Sequence, residues 1–145
     1  MLIQVIGAFF SVVAFSFLLH VPRKYIIWAG FTGAVGWWIY LFLIGINLSV
    51  AMSTFLSGCL VSLCGQIFAR VLKAPVTIFV IPGILPLVPG AGIYYTMSLG
   101  LGGDVQAAVH KGLETAGVAG SIAVAILLVS TIFRLVTAQN GKSRK

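Results

Sequence analysis

Long apolar runs alternate with short polar punctuation along this chain. The runs extend from Leu2 to Leu19, Ile26 to Ile46, Leu48 to Ala69, Pro75 to Met97 and Thr115 to Val136. At 1.5 Å of rise per residue, a helix over each comes close to the roughly 30 Å hydrocarbon core of a bilayer, the first only marginally so. The connections are short: Val21-Pro-Arg-Lys and Arg70-Val-Leu-Lys-Ala-Pro read as basic turns, and Asn47 marks a tight second loop. The pattern predicts an all-α integral membrane protein, a bundle of about five transmembrane helices forming a single transmembrane domain over residues 1–145.

The fourth run departs from the others. Pro75, Pro82, Pro86 and Pro89 each lack a backbone donor, and Gly83, Gly90 and Gly92 loosen the chain beside them, so the fourth helix is expected to be broken. Inside a bilayer such backbone persists only where protein covers it or where it lines a wet cavity. Pro82, Gly83, Pro86, Pro89, Gly90 and Gly92 are therefore candidates for a substrate path. Tyr94 and Thr96, with Thr77, Tyr95 and Ser98, add neutral hydrogen-bonding groups nearby. Half-helix ends supply partial charges, and a neutral site of this kind suits a small polar zwitterion or acid better than an inorganic cation. The plainer alternative is that the prolines only shape the bundle.

Composition supports the membrane reading, because 60% hydrophobic residues with 8% charged ones lies far outside the range of soluble domains. The formal charge of +7 does not point to nucleic acid. Arg23, Lys24, Arg70, Lys73, Arg134, Lys142, Arg144 and Lys145 stand at the ends of apolar runs, where topology determinants belong. Five crossings with the N-terminus out and the C-terminus in put all of them on the cytoplasmic face and leave only Lys111 outside. A fourth segment that turned back without crossing would split them almost evenly. The first run lacks a cationic leader and a small-x-small site before His20, so it reads as a retained span.

Small residues predict where helices approach: Gly30, Gly33 and Gly36 in the second run, Ser53, Ser57, Gly58 and Ser62 in the third, and Gly112, Ala116, Gly120 and Val124 in the fifth. Such faces also allow a homo-oligomer. Trp28, Trp37, Trp38 and Tyr40 read as interfacial residues or as a face toward a partner. Cys59 and Cys64 point to different sides of one helix and read as small core residues.

Chemistry has few carriers. Asp104 and Glu114 are the only carboxylates, and His110 is the one histidine outside the first turn. No nucleophile and base, metal-ligand set or phosphate loop can be assembled, which argues against an enzyme and against a cofactor. With Asp104 as N-cap, Gln106, His110, Glu114, Gly117 and Ser121 fall near one stripe of a last helix roughly 50 Å long from Val105 to Thr137. Such a helix either projects from the membrane or bends at Gly112 and Gly117. Asp104, His110 and Glu114 are candidates for proton coupling. The alternative is a solvated loop in which Glu114 pairs with Lys111.

The run Ile81-Pro-Gly-Ile-Leu-Pro-Leu-Val-Pro-Gly-Ala-Gly-Ile-Tyr-Tyr-Thr-Met97 resembles the threonine/serine exporter family. So do the early His20-Val-Pro-Arg23 turn before the glycine-bearing second span and the Gly102-Gly-Asp104 entry to the last helix. The resemblance is to the short protein corresponding to the family's C-terminal membrane half. It implies export of small polar metabolites, threonine- and serine-type amino acids or dicarboxylates such as succinate, driven by the proton gradient across the bacterial cytoplasmic membrane. It also implies a larger membrane subunit resembling the N-terminal half of the fused exporters. The rival expectation is a non-transporting scaffold or assembly factor for a partner membrane protein.

Overall fold

The computed structural model describes residues 1–142, with side chains through residue 137; Arg144, Lys145 and the side chain of Lys142 lie outside it. Among the described residues the chain forms six α-helices and no strand. These are α1 (Leu2–Leu18), α2 (Arg23–Gly45), α3 (Val50–Val71), α4 (Thr77–Ile84), α5 (Gly90–Leu101) and α6 (Val105–Lys142), with a 3-10 turn Leu85–Leu87 after α4. α2, α3 and α6 are each long and apolar enough to cross a bilayer, and α4 and α5, taken together across their bend, are long and apolar enough for a fourth crossing. α1, at 17 residues, is the short element. It is roughly 25 Å long, below the hydrocarbon thickness.

Four helix ends close in the same way. His20, Asn47, Lys73 and Gly103 adopt φ of 55°, 61°, 49° and 87°. The following N–H groups then reach back over the helix end: Val21 to the Ser16 carbonyl at 2.9 Å, Leu48 to Leu43 at 3.2 Å, Ala74 to Ala69 at 2.9 Å and Asp104 to Leu99 at 3.1 Å. These left-handed caps satisfy terminal carbonyls with backbone alone and allow immediate chain reversal. Only at Gly103 is the conformation free of a Cβ penalty.

α2 lies at the centre, against α1, α3 and α4, while α6 packs on α3 and α5 packs on α6. The interior is made of small residues. Ala8, Val12 and Ser16 of α1, Ala29, Gly30, Thr32, Gly33 and Gly36 of α2, and Ser53, Ser57, Gly58, Val61, Ser62 and Gly65 of α3 are all buried. Large apolar side chains such as Phe10, Phe31, Leu113 and Leu127 are turned outward. Lipid is as apolar as leucine, so burying leucine gains nothing there; association depends on close backbone approach and dispersion. A Cβ at Gly33 would lie 2.5 Å from Val12 Cγ2 and 3.3 Å from the Gly83 carbonyl. Phe79, fully buried, is the large exception, set edge-on to Tyr25 at 5.7 Å and Phe68 at 6.1 Å.

The turns sort the charges. Val21 and Tyr25 pack with Leu72 and Ala74, bringing the α1–α2 and α3–α4 turns to one end of the bundle. α3 and α6 run parallel, and Arg70 Nη2 donates to Thr137 Oγ1 at 2.6 Å while its guanidinium lies 4.5 Å from the Phe133 ring. Arg23, Lys24, Arg70, Lys73 and Arg134 thus gather at that end. Lys111, Asp104 and Glu114 stand at the other.

One packing expectation is corrected. On α6, Ala116, Gly120 and Val124 are exposed, and the face against α3 is Val118, Ile122 and Ala125. The groove lies on α3 instead: a Cβ at Gly58 would be 3.1 Å from Ala125 Cβ and 4.0 Å from Ile122 Cα. One small partner suffices for close approach, so α6 can present larger residues. The stripes predicted on α2 and α3 are buried.

Gly36 and Gly65 have no room for a side chain, their added Cβ atoms falling on Val61 and Val80, whereas Gly117 has nothing within 4 Å. Gly36→Leu and Gly65→Leu are expected to lower stability by about 1–3 kcal/mol each. Gly117→Leu should stay within about 0.5 kcal/mol of the parent or exceed it. Thermal unfolding in detergent micelles checks both.

Candidate functional site

The break arises residue by residue. α4 carries Pro82 internally and passes into the 3-10 turn, after which Val88 is extended at φ −62°, ψ 128°. Val88 N–H donates to the Leu85 carbonyl at 3.2 Å, Gly90 N–H to the Val88 carbonyl at 2.8 Å, and Ile93 N–H to the Pro89 carbonyl at 3.2 Å. The Pro86 carbonyl gains neither regular partner, because Pro89 has no N–H and that of Gly90 is taken. At the start of α5, the N–H groups of Ala91 and Gly92 have no intrahelical acceptor. The two halves meet at 46°, a bend rather than a reversal. α4 begins beside the α1–α2 turn, and α5 ends where Gly100 faces Ala108 at the start of α6.

Beside the break opens a cleft of about 410 Å³. Trp37 and Tyr40 of α2 form one wall, Val50 and Thr54 of α3 another, Pro86 to Gly92 a third, and Lys111, Glu114, Thr115 and Val118 of α6 the fourth. Trp37 and Tyr40 stack at 5.1 Å with ring planes 28° apart. Lys111 Nζ donates to Glu114 Oε2 at 2.7 Å, with side chains 38% and 51% exposed, so the pair is open to whatever occupies the cleft. Thr115 donates to the Lys111 carbonyl at 2.7 Å and Thr54 to the Val50 carbonyl at 2.8 Å, leaving hydroxyl lone pairs free to accept. Glycine is needed at Gly92, where a Cβ would lie 2.5 Å from Thr115 Oγ1. That contact draws the break against α6.

Of the predicted path residues, Pro86, Pro89, Gly90 and Gly92 border this cleft. Pro82 and Gly83 lie beneath it in the core, Gly83 so close to α2 that its Cβ would be 2.9 Å from Thr32 Cγ2. Tyr94 is 68% exposed on the outer side of α5, edge-on to Tyr95, and Thr96 donates to the Gly92 carbonyl at 2.8 Å within its own helix. Among the coupling candidates, Glu114 borders the cleft. Asp104 caps α6, its Oδ1 accepting from Ala107 N–H at 3.0 Å, and His110 is exposed beside Lys111. The stripe from Gln106 to Ser121 thus meets the cleft only at Glu114. Val50, the first residue of α3, borders the same cleft as Lys111, so the first turns of α6 run on past the α2–α3 turn.

Lys111, Trp37, Tyr40 and Thr54 were not singled out by sequence as cleft residues. Two signals pointed to them: Lys111 is the one cation away from the basic end, and Trp37 falls near mid-span, too deep for an interfacial belt. Among the described residues no cluster of His, Cys, Asp or Glu is close enough to hold a metal ion.

A many-helix membrane bundle with one broken span opening onto a cleft that holds charge has the construction of a secondary transporter. The family model for the threonine/serine exporter ThrE matches residues 4–132, and the chain belongs to this family of exporters, a transporter class rather than an enzyme class. The match takes in the whole break and every residue of the cleft. No solved structure matches the chain.

The wall formed by α5 can be tested directly. Cβ atoms at Gly100 and Ala108 would be 3.8 Å apart, within disulfide range. With Cys59 and Cys64 replaced by alanine, Gly100→Cys/Ala108→Cys should cross-link under mild oxidation, read as a linked peptide by mass spectrometry. Failure to link would mean that α5 does not lie along α6.

Proposed function

We propose that the chain is the smaller subunit of a two-component, proton-coupled exporter of small polar metabolites, and that the cleft beside the Pro86–Gly92 break is part of its translocation path. The observation that carries this reading is the meeting of freed backbone and an ion pair in one cavity. Regular helix has no free donors or acceptors at membrane depth, so a polar solute needs such a place.

One feature supports a larger partner. α5 buries none of its residues, packs chiefly on α6, and leaves Tyr94, Tyr95, Met97 and Leu101 uncovered. The basic end, by the positive-inside rule, faces the cytoplasm, which puts the cleft toward the outer half of a bacterial cytoplasmic membrane and the N-terminus outside. Asp104, His110 and Glu114 follow one another along the same end of α6, from the loop to the cleft, in the order that proton movement would require. Glu114 exchanges the proton as Lys111 leaves it.

Uptake of labelled serine, threonine and succinate into inverted vesicles with an inside-acid gradient tests the reading. Uptake is expected with both subunits and not with either alone, and replacing Pro86 and Pro89 by alanine should abolish it. Glu114→Gln should remove the response to the gradient and leave assembly intact; normal gradient-driven uptake by that variant would sink the coupling role. A stable complex that moves none of the three solutes, with Pro86 and Pro89 freely replaceable, would favour a scaffold. Separately, a C-terminal reporter active only in the cytoplasm is expected, and one active outside would reverse the topology.

A further inference from the structure

We propose that Lys111 and Glu114 are the specificity-determining pair of this cleft, and that together they select a zwitterion, a small α-amino acid, over a dicarboxylate. The inference rests on the transporter reading above and goes further by naming the two side chains that would distinguish the family's amino-acid substrates from a dicarboxylate. The two side chains bond to each other at 2.7 Å, are half-open, and border a cavity of about 410 Å³. Among the described residues bordering it, Lys111 is the one cation and Glu114 the one anion.

A ligand with an ammonium and a carboxylate on one carbon exchanges a single internal ion pair for two external ones, ligand carboxylate to Lys111 and ligand ammonium to Glu114. The surroundings extend the same polarity. The unpaired Ala91 and Gly92 N–H groups at the start of α5 favour the carboxylate beside Lys111. The Pro86 carbonyl and the stacked Trp37 and Tyr40 rings favour the ammonium. The Thr54 and Thr115 hydroxyls, their own protons spent on backbone carbonyls, are acceptors for a hydroxyl on a short side chain. A dicarboxylate meets the opposite balance. Its second charge finds Glu114 and no second cation, and like charges side by side repel.

The test is binding to the full chain, without any gradient, in nanodiscs of phosphatidylglycerol so that no zwitterionic headgroup competes. L-serine, serinamide (no carboxylate), glycerate (no ammonium) and succinate are titrated by calorimetry. L-serine should bind at least tenfold more tightly than the other three. Lys111→Met and Glu114→Gln should each weaken L-serine on the order of tenfold to a hundredfold. Lys111→Met should also erase the preference over serinamide, and Glu114→Gln the preference over glycerate. The reversed pair, Lys111→Glu with Glu114→Lys, should recover part of the L-serine affinity. Succinate binding as tightly as L-serine, or single variants that bind L-serine like the parent, would overturn the inference while leaving the exporter reading intact if vesicle uptake persists. No binding of any of the four ligands by the parent chain overturns the inference. If the two-subunit vesicles are also inactive, the exporter reading falls with it.

Discussion

The rest of this structure depends on one constraint: in a bilayer, every backbone donor and acceptor that a helix fails to pair must be covered by protein or reached by water. An unpaired peptide group in hydrocarbon costs several kcal/mol. The segment from Pro82 to Gly92 breaks that rule at the Pro86 carbonyl and at the first N–H groups of α5, so it stands with its α4 side covered by other helices and its exposed side, Val88 to Ala91, along the cleft. α2 and α3 provide the enclosure by being small where α4 lies. Gly33 admits the Gly83 carbonyl and Gly65 admits Val80. Gly33 and Gly65 are thus small to admit α4, while Gly30, Gly36 and Gly58 admit α1, α3 and α6 in turn. Space that α4 fills on its inner side reappears beside the 3-10 turn as the cleft, because a chain bent by 46° cannot follow α3 along its whole length.

Charge obeys a related rule. Five basic residues gather at one end of the bundle, while Lys111 stands at the opposite end with Glu114 beside it. A half-exposed pair three residues apart on one helix contributes little to stability. Fold energetics therefore do not explain a lysine and a carboxylate next to broken backbone. Asp104 has a structural task as the cap of α6, and the pair has none of comparable weight. That contrast separates the two carboxylates more clearly than their spacing in sequence does.

Much of the architecture was legible from residue order. Proline and glycine spacing located the break, and the apolar runs located the helices, although three of them, or four with α4 and α5 taken as one, are long enough to cross where five runs were expected to. The charge distribution matches the gathering of basic residues at one end. What escaped was rotation about the helix axes. On α6 the small residues Ala116 and Gly120 face outward, because α3 already supplies the groove at Gly58, and no pattern on α6 alone reveals what its neighbour provides. The same limit applied at the site. Tyr94 is near Gly92 in sequence yet turns to the outer side of α5, while Trp37 and Tyr40, fifty residues distant, stack into the cleft. Charge pairing at Lys111 and Glu114 was readable as a local i,i+3 contact; that it borders a cavity required four separate elements in place.

The break also divides the chain into parts held very differently. α4 carries Phe79, Val80, Pro82, Gly83 and Ile84 into the core between α2 and α3, whereas α5 buries nothing and packs chiefly on α6. Displacing α4 would expose the unpaired backbone and vacate the space around Phe79. Displacing α5 forfeits one interface, closed by Gly92 against Thr115, Thr96 against Gly112 and Gly100 against Ala108. Regions of low contact are where proteins open first. The junction between the fixed and the lightly held half is the 3-10 turn and the extended Val88, which border the cleft. A rotation there moves the Ala91 and Gly92 N–H groups relative to Lys111 and leaves the α2–α3 core untouched.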